Sequence, residues 1–192
     1  RSPRPPGPRT GSGRGLPAER AERPGRSHRD FLVDVVRGQG VGEGDVFLFF
    51  GLFREEDSGE PHHRIFGWME VERMVHLAEC AEQESTALAA HAHPHALAMH
   101  GSNDCIYVGA GGTAPRASAA LRLTVPGGPP SLWERPECLK KGGLSYHDRA
   151  DRWLRGGRLK SVARGQEFVA DIGRRKAPRD WLARVLTELR AS

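Results

Sequence analysis

Histidines alternate along the run His91-Ala92-His93-Pro94-His95. Residues two apart on an extended strand share a face, so this spacing can present several imidazoles to one metal ion or one substrate. No Asp, Glu or Cys stands at a recognisable ligand spacing, and no His-Glu-x-x-His helix occurs. The expected metal-ligand set is therefore empty. The reading we carry forward is a bend stiffened by Pro94, with His93 and His95 hydrogen-bonding backbone or substrate. Two denser signals follow, Leu144-Ser145-Tyr146-His147 and Ser161-Val162-Ala163-Arg164-Gly165-Gln166-Glu167-Phe168-Val169. Arg164, Gln166 and Glu167 offer a guanidinium fork, an amide and a carboxylate within four positions, the groups that read phosphates and base edges. The bland alternative is a salt-bridged strand entry.

Other chemistry is thinner. Trp68 can stack on a base or ligand ring, or simply fill a core. No Gly-x-Ser-x-Gly elbow occurs, and Cys80, Cys105 and Cys138 stand in apolar or turn contexts typical of inert thiols. The glycines at 38, 40 and 42 precede a strand instead of following one and opening a helix, so they do not form a phosphate loop.

The elements that must position these groups centre on Val46–Phe53, an apolar run read as a strand buried on both faces. Gly44-Asp45 ahead of it is turn chemistry. His63–Val71, bounded by Pro61, reads as its antiparallel partner, and Arg54–Pro61, with four acids, a Ser and a Gly, as the hairpin loop. No other pair of segments has comparable apolar density, so this hairpin is expected to nucleate the core. Apolar spacing favours a short helix over Asp30–Arg37, and Ala, Glu and Leu favour a helix over Glu72–Ala90. Short strands are expected at Asp104–Gly109, Leu121–Val125 and Glu167–Val169. Trp181, Leu182, Val185, Leu186 and Leu189 recur at helical spacing behind Pro178 and predict a terminal amphipathic helix at 179–190. The expected class is α+β: a mostly antiparallel bent sheet or open β-barrel with flanking helices.

Composition sets the outer bounds. The chain has 192 residues, enough for one domain with a core. Residues 1–29 contain eight Arg, two Glu, six Pro and five Gly and read as a disordered tail, leaving residues 30–192 as a single domain. The chain opens on Arg instead of Met, as a processed chain, a partial chain or one translated from an incomplete reading frame would. Charge is strongly polarised: +6 over residues 1–29, −9 over 30–134 and +8 over 135–192. A basic final segment suits DNA or a nucleotide, although a solvated face balancing the acidic half would look the same. No run of 18 apolar residues exists, which excludes a helical membrane span. Three widely spaced cysteines fit a reducing compartment, and the expected location is cytoplasmic.

Taken in order, Gly44–Arg54, His63–Val71, His93-Pro94-His95, Asn103 before Ile106-Tyr107-Val108, Leu144–His147 and Ala163–Val169 resemble the third type of nucleotide modification associated domain. That bacterial and phage family is assigned by genomic context to making or handling modified DNA bases. The resemblance covers residues ~40 to ~190. Members usually begin with a Ser-Arg-Lys-Gly-Phe-Asp-like motif, and nothing comparable occurs before Phe31. A coarser likeness, in architecture only, is to the small barrels of pseudouridine-synthase-associated domains that grip extruded bases.

The combined expectation is a protein of DNA-modification or restriction systems that recognises or processes a modified base or nucleotide. His93, His95, His147 and Glu167 form the candidate catalytic set. Trp68, Asn103, Tyr146, Arg164 and Gln166 are the candidate substrate-binding residues. In a catalytic version a His shuttles protons while Arg164 holds phosphate. In a non-enzymatic reader the same groups hydrogen-bond a base edge. A metal-dependent hydrolase built on the His cluster is the remaining alternative. The sequence names no cofactor.

Overall fold

The computed structural model describes residues 29–30, 33–34, 40–90, 105–142, 149–161 and 168–191. Among them a larger sheet contains β1 (Arg29–Asp30), β2 (Val33–Asp34), β3 (Val46–Arg54), β4 (Pro61–His76) and β5 (Cys105–Thr113). Its order is β1-β5-β4-β3, with β2 also on β5, and every pairing is antiparallel. A smaller antiparallel sheet joins β6 (Leu132–Glu134), β7 (Trp153–Leu154) and β8 (Arg158–Lys160) in the order β6-β8-β7. Helices α1 (Glu82–Ala90) and α2 (Lys176–Arg190) complete an α+β architecture, with no closed barrel among the described residues.

The central hairpin forms as its sequence requires. Asp45 accepts from the Gly42 amide through its carboxylate, and Gly44, at a φ of 82°, turns the chain into β3. Hydrogen bonds between Gly44 N and Val71 O, and between Val71 N and Asp45 O, lock the turn to β4. Along β4, Ile65, Gly67, Met69 and Val71 are buried while Phe66, Glu70 and Glu72 are exposed, the period-two pattern of a strand with one covered face. A bulge opposite Phe49 and Phe50 leaves Phe66 as the extra residue, and a second lies between Val71 and Arg73.

The edge of β4 opposite β3 has two occupants. Its C-terminal half pairs with β5, and its N-terminal half meets Arg122 across from Arg64. The His63 carbonyl accepts from both Leu123 and Thr124, and a bridge between Thr124 and Trp133 passes the connection to β6. The two sheets thus share one principal core: Ile65, Leu121, Leu123, Trp133, Leu139, Leu159, Val185 and Leu189, the last two from α2. Near the other end, Val75 and Ile106 pack with Leu88 of α1. Met69, Val71, Cys105 and Tyr107 form a third cluster with Val41, Phe47 and Phe49.

Several sequence expectations require correction. β3 is not buried on both faces: residues 46–51 are half-buried and 52–54 exposed, because among the described residues β3 pairs with β4 alone. The helix expected over Asp30–Arg37 is replaced at 29–30 and 33–34 by two short strands, whose backbone groups complete the ladder on β5. The helix expected from Glu72 begins only at Glu82, since Glu72–His76 extends β4 against β5. Pairing with β5 satisfies more backbone there than local helix propensity could offset. β5 in turn runs on to Thr113, past Gly109, the expected end of the strand. Leu121 ends a 3-10 turn over Ala119–Leu121, Arg122 and Thr124 make only isolated bridges, and Phe168 and Val169 carry no regular structure.

The glycines of β5 explain that extension. A Cβ on Gly109 would lie 1.8 Å from the Glu70 carbonyl oxygen, whereas one on Gly112 would lie 3.4 Å from the Trp68 indole nitrogen. Backbone therefore approaches backbone at 109, where only Gly fits. Gly109→Ala is expected to lower stability by about 3 kcal/mol, and Gly112→Ala by less than about 1 kcal/mol. Urea denaturation checks both, and equal midpoints would refute the close approach.

Candidate functional site

Eight of the nine candidate residues lie outside the described residues: His93, His95, Asn103, Tyr146, His147, Arg164, Gln166 and Glu167. The ninth, Trp68, sits on β4 opposite Leu48 and Gly112 and packs half-buried against the principal core. The guanidinium carbon of Arg190 lies 4.0 Å from its ring centroid, a cation–π contact from α2. Arg190 also reaches Glu70 at 3.4 Å, so α2 is anchored beside this ring. The three segments that carry the other candidates leave the described fold at Ala90, Gly142 and Ser161 and re-enter it at Cys105, Arg149 and Phe168. Phe168 packs on Phe50 and Trp133, with ring centroids 6.3 and 5.7 Å apart, and Cys105 is buried on β5. Ser161 is buried, and its amide donates to the Ser131 carbonyl at 2.7 Å.

A second group of polar residues, none of them among the sequence candidates, gathers at the loop end of the hairpin. The face of β4 that bears His62 and Arg64 also receives Arg122, cross-strand from Arg64. Two guanidinium groups side by side would repel, but two carboxylates from the hairpin loop compensate. Arg122 donates to Glu60 at 2.6 Å, to Glu55 at 3.3 Å and to the Thr124 carbonyl at 3.0 Å. Glu60 is further held by the Gly127 amide at 3.0 Å. Glu55 is more loosely placed, with the same oxygen 3.7 Å from Arg64 and 3.6 Å from Nε2 of His62. His62 is only 1% exposed; its Nδ1 meets the Glu60 carbonyl at 3.2 Å, while its Nε2 has no hydrogen-bond partner. Nε of Arg64 is likewise buried and unpartnered. The run His62-His63-Arg64 beside four loop acids was the available signal for this cluster.

Its neighbour His63 points to the other face and serves packing. Its ring lies between Phe50 and Trp133, at centroid distances of 6.1 and 5.4 Å. Nδ1 lies 2.9 Å from the Pro130 carbonyl and 3.1 Å from Nε1 of Trp133, and it cannot donate to one and accept from the other in a single tautomer. Because Trp133 also reaches the Pro130 carbonyl at 3.1 Å, the ring satisfies its partners in either tautomer.

The cysteines offer no nucleophile. Cys105 is buried, and Cys80 faces the Leu77 carbonyl at 3.5 Å. Burial pushes the Cys138 thiol from its ordinary 9.0 up to about 12, outweighing the nearby Arg175 charge. On the surface, Arg149 beside Asp151 holds that carboxyl below its usual range. Among the described residues, no group of three or more His, Cys, Asp or Glu is placed to hold a metal ion. No helix among them is long and apolar enough to cross a membrane.

A family model described as nucleotide modification associated domain 3 matches residues 34–171. No curated protein and no solved structure matches the chain.

The raised Cys138 pKa has a direct consequence. Folding favours the neutral thiol, so its contribution is complete below pH 9 and is lost as pH climbs through about 12. Between those limits the parent chain should lose stability more steeply than Cys138→Ala, measured by denaturant titration at successive pH values. Parallel profiles would contradict the desolvation of this thiol.

Proposed function

The chain belongs to the nucleotide modification associated domain 3 family, and on that premise we propose that it recognises or processes a modified base or nucleotide of DNA. The observation that carries this reading is the extent of the family match. Residues 34–171 take in all nine candidates, Trp68, His93, His95, Asn103, Tyr146, His147, Arg164, Gln166 and Glu167, and leave α2 outside. In this reading the imidazoles of His93, His95 and His147 and the Glu167 carboxylate supply proton-transfer or hydrogen-bonding groups. Arg164 and Gln166 engage phosphate and base edge, with Asn103 and Tyr146 beside them.

The surface chemistry supports a polyanionic partner. Lys140, Lys141, Arg155, Lys160, Arg174 and Arg179 are exposed around the small sheet and α2. Cations so disposed attract phosphates from any sequence, whereas discrimination between bases must come from groups that reach a base edge.

Binding should be measured by fluorescence anisotropy on oligonucleotides with and without a modified base, at two salt concentrations. The parent chain should prefer a modified oligonucleotide, and affinity should fall as salt rises. His147→Ala and Arg164→Ala should each weaken binding by about tenfold, the 1–3 kcal/mol expected of a specific base or phosphate contact. Unchanged affinity in both variants would remove them from the site.

A further inference from the structure

The hairpin cluster leaves a buried donor of Arg64 without an acceptor. Arg64 has only 11% of its side chain exposed, yet its closest charged partner is Glu55 at 3.7 Å, beyond hydrogen-bonding distance. Its Nε and the Nε2 of His62 are both buried without a hydrogen-bond partner. A nearly buried guanidinium in that condition leaves a charge-assisted bond unmade, an arrangement that stabilises the fold poorly and prepares it to receive an anion. Glu55 is the movable member: 39% of its side chain is exposed, and one oxygen spans three cationic or imidazole nitrogens at 3.3 to 3.7 Å. Glu60, by contrast, is fixed by Arg122 and the Gly127 amide.

The same face carries an aromatic corner. Phe53 lies directly across from His62, with ring centroids 6.4 Å apart and the rings tilted by 31°. Phe66, the residue displaced by the bulge, meets Phe53 edge to face at 5.9 Å. Gly51, opposite Arg64, leaves room for this: a Cβ there would stand 3.4 Å from the Phe53 ring and 3.5 Å from that of Phe66. Both rings are more than a third exposed, an unusual outlay of aromatic surface. A corner of two phenyl rings next to an under-bonded guanidinium matches a planar heterocycle joined to an anion.

We propose that this face of the hairpin is a nucleotide-binding site. The phosphate occupies the donors of Arg64 in place of the Glu55 carboxylate, and the base stacks against Phe53 and Phe66. The inference rests on the family reading above and adds to it residues that are not among the candidates read from the sequence. Phosphate displaces a single carboxylate because it brings more charge and three acceptor oxygens. Arg122 remains paired with Glu60 throughout.

Calorimetric titration of the full chain tests this with four probes: inorganic phosphate, a deoxynucleoside, its 5′-monophosphate and a short single-stranded oligonucleotide. The monophosphate should bind at least tenfold more tightly than either the nucleoside or phosphate alone. Comparison with the oligonucleotide separates a terminal phosphate from a backbone phosphate as the source. Arg64→Gln should abolish the advantage of the monophosphate over the nucleoside. Phe53→Leu should weaken both about tenfold, whereas Phe53→Tyr should retain both. Glu55→Gln, which keeps the side chain's size and removes the competing charge, should tighten monophosphate binding severalfold. Monophosphate binding no tighter than nucleoside binding, or unimproved by Glu55→Gln, overturns the proposal. If oligonucleotides are discriminated through His147 and Arg164 while Arg64→Gln and Glu55→Gln leave monophosphate binding unmoved, this site falls and the family reading stands. If the monophosphate responds to these substitutions while modified and unmodified oligonucleotides bind alike, the site stands and the family reading falls.

Discussion

One strand, sixteen residues long, has partners along both of its edges for much of its length, and that strand is β4. β3 takes one edge from residue 61 to 70. The other edge is divided between β5 and the stretch around Arg122–Thr124. A buried amide or carbonyl left unpaired costs about 1–3 kcal/mol, so each occupant is held in register by the strand it covers. The two bulges follow from this shared use. One displaces Phe66 to the outer face of the hairpin, and the other resets the strand before it meets α1. All three apolar clusters contain residues of β4, because residues on both of its faces are covered at different points along its length.

The electrostatics of the hairpin follow from the same geometry. Once Thr124 is bound to His63, Arg122 must lie opposite Arg64, whatever the cost of opposing two like charges. Acids of the 55–60 turn offset that repulsion. Pairs between a nearly buried guanidinium and a partly exposed carboxylate contribute little net stability, because desolvation of the cation and screening of the anion consume most of the Coulombic gain. Their main consequence is geometric: Arg122 is held by three acceptors, while Arg64 is left with capacity to spare.

The sequence made the hairpin legible because Val46–Phe53 and His63–Val71 carry apolar density that no other arrangement could bury. The terminal helix was equally clear, and it is found over Lys176–Arg190, with Pro178 in its first turn. What could not be read was where local preference yields to distant partners. Glu72–His76 has the composition of a helix, yet it completes the ladder to β5, about thirty positions further on. Residues 29–30 and 33–34 likewise take the strand conformation that β5 imposes. The family was legible through several weak motifs in order, and the match over residues 34–171 agrees with it. The hairpin cluster escaped notice for a different reason: Arg64 and Arg122 are 58 positions apart, and only the bridge between them makes them neighbours.

Trp133 has a consequence of another kind. Its indole is 2% exposed, wedged edge-on against Phe50 and His63 at the seam where the smaller sheet joins the hairpin. Its emission should lie to the blue of the other tryptophans and resist quenching by iodide for as long as that seam stays shut. The molecule therefore carries a native optical gauge of whether its two sheets are joined, readable without any label.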